Sequence, residues 1–159
     1  MSARIIEELQ VGKAAELAKT FDEWDIDTFA ALTGGLVHAD GAFAERTNPG
    51  EKAAHSLLTA GLISTVLDTK LPGPGTICLS QQLQFLRPVK MGDTITARVE
   101  VIELVSNQDM ARLRTTCTNQ NGELVLDGTA LVIPAHKGWL GDNGWEEAKS
   151  ALRPEPRAD

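Results

Sequence analysis

Residues 52–71 read KAAHSLLTAGLISTVLDTKL, and this stretch decides the fold. From Ala53 to Leu67 nearly every side chain is small or apolar, with no Asp, Glu, Lys or Arg and no proline. Such a segment is a helix hydrophobic on almost every side, and a helix of that kind is expected to be buried. About 16 helical residues rise roughly 24 Å, enough to cross a small domain and too short to span a bilayer. Almost everything after it alternates like strand. A lone apolar helix followed by antiparallel strands predicts an α+β fold in which a sheet wraps around the helix.

Working outward on the C-terminal side, LPGPG at 71–75 breaks the helix with two prolines and two glycines. In 76–86, Ile77, Leu79, Leu83 and Phe85 share one face, and Thr76, Ser80, Gln82 and Gln84 the other. After the Met91-Gly92-Asp93 turn, 94–104 alternates again, with Ile95, Ala97, Val99 and Val101 on one side. Ala111, Leu113, Thr115 and Cys117 repeat the pattern, and Asn121-Gly122 marks a tight hairpin into 123–134, which is apolar on both faces. Four consecutive strands predict a meander. From His136 the composition turns glycine-rich, polar and finally charged, so we divide the chain into a domain over 1–135 and a partly disordered extension over 136–159.

On the N-terminal side, DEWDIDTFAALTGG at 22–35 spaces Trp24, Ile26, Phe29 and Leu32 near the helical period, with acidic residues in its first turn and a glycine stop. The weak alternation before it, within 5–19, fits an edge strand or an extended arm.

A chain of 159 residues with 42% hydrophobic content suits one compact domain. A net charge of −7 and a pI near 5.0 argue against nucleic acid or an anionic membrane as the main partner. No segment reads as a signal peptide or a membrane span, so a cytoplasmic location is the default. Cys78 and Cys117 lie in strand patterns and are expected to be buried free thiols. The three histidines, His38, His55 and His136, have no metal-ligand spacing, and neither a metal nor another cofactor is expected.

FAALTG, HADGAFAERT, AAHSLLTAGLIS, FLRPVKMGDTITARVEV and the strands up to Pro134 together resemble the MaoC-like, (R)-specific enoyl-CoA hydratase family. The resemblance covers about 130 residues and implies a single hot dog fold, an antiparallel sheet wrapped around a long central helix and paired into a homodimer. It also implies an acyl-CoA or other acyl thioester as substrate. The family's loop, in outline G-D-x-N-P-x-H, supplies an aspartate and a histidine that add water to an enoyl thioester. That chemistry needs a base for water, an acid for the α carbon and donors for the thioester oxygen. Here the loop reads Gly34-Gly35-Leu36-Val37-His38, two residues shorter, without the aspartate or the Asn-Pro pair.

Through this resemblance His38 takes the catalytic histidine's place and Ser64 that of the helix serine facing it. Asp40, two residues past His38, is the nearest carboxylate in sequence and is either a substitute for the missing aspartate or a helix cap. Ser56 replaces the family glycine at the start of the helix, where a backbone N–H suits the thioester oxygen. Gly61 falls mid-helix, where close approach of a strand, a partner subunit or an acyl chain would explain it. His55 reads as a helix-entry residue, and Arg87, Lys90 and Arg98 are candidate contacts for coenzyme A phosphates. The function expected is that of a hydro-lyase of the enoyl-CoA hydratase or 3-hydroxyacyl-CoA dehydratase type. A hot dog thioesterase and a non-catalytic acyl-thioester-binding or partner subunit are the alternatives.

Overall fold

The computed structural model describes residues 8–34, 53–105 and 109–135. In chain order the elements are β1 (Ala14–Thr20), α1 (Glu23–Thr33), β2 (Ala53–Ala54), α2 (Ser56–Thr69), β3 (Ile77–Phe85), β4 (Val89–Lys90), β5 (Thr94–Val105), β6 (Met110–Thr118) and β7 (Leu124–Ile133). The C-terminal extension lies outside the described residues. No helix among the described residues is long and apolar enough to cross a membrane.

Five strands form one antiparallel sheet in the order β1-β5-β6-β7-β3. The expected four-strand meander is therefore corrected to three strands, β5 to β7. β3 does not neighbour β5; it pairs with β7, with Leu83 opposite Gly128 and Phe85 opposite Leu126. The reason lies in the connection, because β4 leaves the sheet to pair with β2, setting Ala53 opposite Lys90 and Ala54 opposite Val89. Strand order is a long-range property that alternation along one strand does not encode.

α2 packs on β5, β6 and β1. Its Ala60, Leu62, Ile63, Val66 and Leu67 join Ile95, Ala97, Val99, Val101, Leu113 and Leu126 in one core. The expectation of a helix buried all round is corrected, since Ser56, Leu57, Gly61, Ser64, Thr65 and Asp68 are exposed. The sheet covers one side of the helix. Its other side stays compatible with water because, apart from Leu57, it is built from small or polar residues.

β3 holds a second departure. A bulge between Cys78 and Ser80 shifts its register against β7, so one alternation does not run the whole strand. Leu83 packs on the main core, whereas Ile77 and Leu79 join Val105, Met110, Leu131 and Ile133 in a separate cluster. Cys117 is buried, and burial pushes its thiol up to about 12. Cys78, expected to be buried, is exposed on this last strand of the sheet.

On the face away from α2 the sheet carries ion pairs. Arg98 meets Glu16 and Glu100, Arg112 meets Glu103, and Arg114 meets Asp127. A groove of about 570 Å³ crosses this face between Gln82, Gln84, Arg114 and Thr129. The pairs are exposed and contribute little to stability each, so this is a solvated face.

α1 begins with a capping box. The Asp25 N–H donates to the Asp22 carboxylate at 2.9 Å, and the Asp22 N–H donates to Asp25 at 3.1 Å. Gly34, at φ 68°, ends the helix in the left-handed conformation. The Asp22 N–H, helped by Lys19, holds the Asp25 carboxyl below its ordinary range. A depressed folded-state pKa stabilises the fold above the unfolded group's titration and loses that effect as pH falls. Asp25→Asn is therefore less stable than the parent at neutral pH, and the gap in melting temperature narrows as the medium is made acidic.

Gly128 sits where β7 meets β3, and a Cβ there would overlap the Gln82 carbonyl oxygen, a backbone atom that cannot turn aside. Gly128→Ala is expected to cost about 1–3 kcal/mol through strand displacement, read as a lower midpoint in urea unfolding.

Candidate active site

The first turn of α2 is where chain, charge and space converge. Three anchors set its position. The β2–β4 ribbon fixes the residues just before it. His55 is the N-cap, in extended conformation at φ −60° and ψ 137°, and the Leu57 N–H donates to its Nδ1 at 3.2 Å. The His55 ring also lies 5.1 Å from the ring of Phe29 on α1, centroid to centroid and tilted by 36°.

A helix N-terminus exposes N–H groups without partners in the preceding turn. Here the Leu57 N–H is taken by the imidazole, and the Leu58 and Thr59 N–H groups donate to the His55 carbonyl at 2.9 and 3.4 Å. No bond among the described residues engages the Ser56 N–H. It is the uncommitted donor of the turn, at the positive end of the helix dipole, and no acidic residue sits in that turn.

Beside it lies a cavity of about 20 Å³ lined by Ala54, Ser56, Thr59, Phe85, Arg87, Val89 and Val125. The Thr59 hydroxyl is buried without a partner among the described residues, and the space matches one water molecule. Arg87 also borders a groove of about 370 Å³ with Lys90, Asp93, Gln120 and Glu123, and its guanidinium stands 3.7 Å from Glu123. Of the three cations named from sequence, Arg87 and Lys90 share this groove. Arg98 is held on the opposite sheet face by Glu16 and Glu100.

The site residues named from sequence separate as follows. His38 and Asp40 lie outside the described residues. Ser56 opens α2 and is exposed. Gly61 and Ser64 stand on the exposed side of the same helix. A Cβ on Gly61 would meet nothing within 4 Å, so no described strand packs against it, and close strand packing is removed as its explanation. Thr59 and Phe29 were not singled out from sequence. A threonine inside an apolar helical run is a weak signal, and the Phe29 contact joins elements 26 residues apart along the chain, Phe29 to His55. Among the described residues, no group of three His, Cys, Asp or Glu side chains is arranged to hold a metal ion.

Because the Gly61 position is open, Gly61→Ala is expected to stabilise the fold by up to about 1 kcal/mol through helix propensity alone. A higher urea midpoint is the check.

Comparison with known proteins then supplies context. The family model described as MaoC like domain matches residues 8–122. A 3-hydroxybutyryl-CoA dehydratase of Methylorubrum extorquens is 47% identical over 128 residues, covering 79% of this chain and 81% of that protein. An (R)-specific enoyl-CoA hydratase of Rhodospirillum rubrum is 42% identical over 134 residues, covering 83% and 92%. Among solved structures, an unliganded R-hydratase of Pseudomonas aeruginosa superposes with a TM-score of 0.76 at 41% identity, covering 84% of this chain and 86% of that one. The architecture, a sheet curved over one helix, is the single hot dog.

Proposed function

Because the chain belongs to the MaoC-like family, we propose that it is a hydro-lyase acting on acyl-CoA thioesters, interconverting an enoyl-CoA and a 3-hydroxyacyl-CoA. The observation that carries this reading is the uncommitted Ser56 N–H at the positive end of α2. In hydration a base takes one proton from water as its oxygen bonds to the β carbon, the C=C π pair moves toward the thioester so that negative charge develops transiently on its oxygen, and a proton is delivered to the α carbon. A fixed N–H donor aimed at that oxygen stabilises the developing charge more than it stabilises the ground state.

His38 is the proton-transfer group in this reading, with Ser64 supporting it. Asp40 is the carboxylate nearest in sequence to replace the absent loop aspartate. Gly61, on the same exposed side of α2 as Ser64, leaves room for the acyl chain or a partner subunit. Arg87 lines both the small cavity beside Ser56 and the groove it shares with Lys90, and the two cations suit the phosphates of coenzyme A.

The active form is a homodimer. β3 is the last strand of the sheet and pairs only with β7 among the described residues, and Phe85 and Leu86 at its end are exposed. A paired edge would continue the sheet into a second copy.

The shortened loop favours a second reading, an acyl-thioester-binding subunit without chemistry. The two separate in one assay. Purified protein is expected to hydrate crotonyl-CoA, seen as loss of enoyl absorbance. His38→Ala is expected to lower the rate by a factor of about 10²–10⁴, as removal of a proton-transfer group does. Thermal stabilisation by crotonyl-CoA with no turnover would establish the binding subunit instead, and free-thiol release would establish a thioesterase.

A further inference from the structure

His55 does two things that an ordinary cap does not combine. Ser, Thr, Asp and Asn are the usual N-cap residues because a short side-chain oxygen accepts from the first turn. An imidazole accepts equally well through an unprotonated ring nitrogen, and it adds a flat apolar face. Here both are used, with Nδ1 on the Leu57 N–H and the ring against Phe29. Phe29 belongs to α1, which ends at Thr33 with Gly34 as its cap, immediately before the stretch that contains His38. The contact therefore ties the second half of one helix to the beginning of the other.

We propose that His55 is a positioning residue for the reaction. By holding the Leu57 N–H through Nδ1, it fixes the direction of the neighbouring Ser56 N–H, and the ring contact with Phe29 is secondary to that bond. The proposal rests on the hydration reading, in which the Ser56 N–H meets the thioester oxygen. Its physical basis is the sequence of bonds around the turn. The imidazole takes Leu57, the His55 carbonyl takes Leu58 and Thr59, and Ser56 alone is left to the substrate. Without the Nδ1 acceptor, the Leu57 N–H also lacks a partner. The first turn then frays, and two donors of uncertain direction replace one of fixed direction. A donor displaced by about 1 Å costs on the order of 10² in rate, while binding of the coenzyme A portion is not touched.

Two substitutions separate the acceptor from the ring. His55→Asn keeps an acceptor on a short side chain and discards the aromatic face. His55→Phe keeps the ring against Phe29 and discards the acceptor. With crotonyl-CoA as substrate, H55N is expected to retain kcat within a few-fold, whereas H55F loses about 10- to 100-fold in kcat with KM little changed. Melting temperatures recorded alongside establish that both variants are folded. In the parent protein, a ¹⁵N–¹⁵N coupling across the hydrogen bond from the Leu57 amide to His55 Nδ1 is expected, and this measurement needs no variant.

Absence of that coupling overturns the proposal. So does an H55F as active as H55N, a loss confined to KM, or an equal fall in both variants. Parent protein that leaves crotonyl-CoA unchanged removes the hydration reading and this proposal together. An active parent with an undiminished H55F removes this proposal alone.

Discussion

The structure depends on burial of one side of α2 against the inner face of β5 and β6. Ile63 and Val66 on the helix, with Ile95, Val99, Val101 and Leu113 on the strands, have no solvent exposure. Each large apolar side chain removed from water in this way contributes about 1.5–3 kcal/mol. Rotation of the helix about its axis would expose these residues and turn Ser64 and Asp68 toward the core. The rotational setting of α2 is therefore fixed by the core.

Packing alone sets the helix axis but leaves its first turn free to fray. The ribbon of β2 and β4, the imidazole of His55 and the ring of Phe29 act on that remaining freedom. They come from three separate parts of the chain, so the site is assembled by the tertiary fold and not by any one segment. Arg87, two residues before β4, lines the small cavity at the same turn, with its guanidinium near Glu123.

Much of the fold was legible in the sequence because it depends on local period. α2, β5 and β6 follow directly from their apolar spacing, and α1 from its acidic first turn and glycine stop. The features that were not legible are long-range or belong to the backbone. β3 reads as one regular strand, yet the bulge changes its phase midway. The neighbour of β3 is β7, a choice set by where β4 leaves the sheet. The open side of α2 looks apolar when small residues are counted as apolar, although glycine and serine accept exposure as readily as burial. The placement of Ser56 at a helix start was legible, and so was that of His55 at the helix entry. The pairing of His55 with Phe29 was not, because no spacing rule connects those two positions.

The bulge in β3 has a meaning for how this sequence can change. A regular strand obeys one rule of alternation from end to end, and every substitution is judged by it. Here the rule is reset at Leu79, so the strand is two short units in series, each answering to a different cluster. Ile77 and Leu79 are constrained by Met110 and Ile133, while Leu83 is constrained by the core under α2. Changes that accumulate at one end of the strand need no compensation at the other. The half that adjoins the α2 N-terminus through Phe85 can thus keep its shape for the sake of the site while the far half drifts.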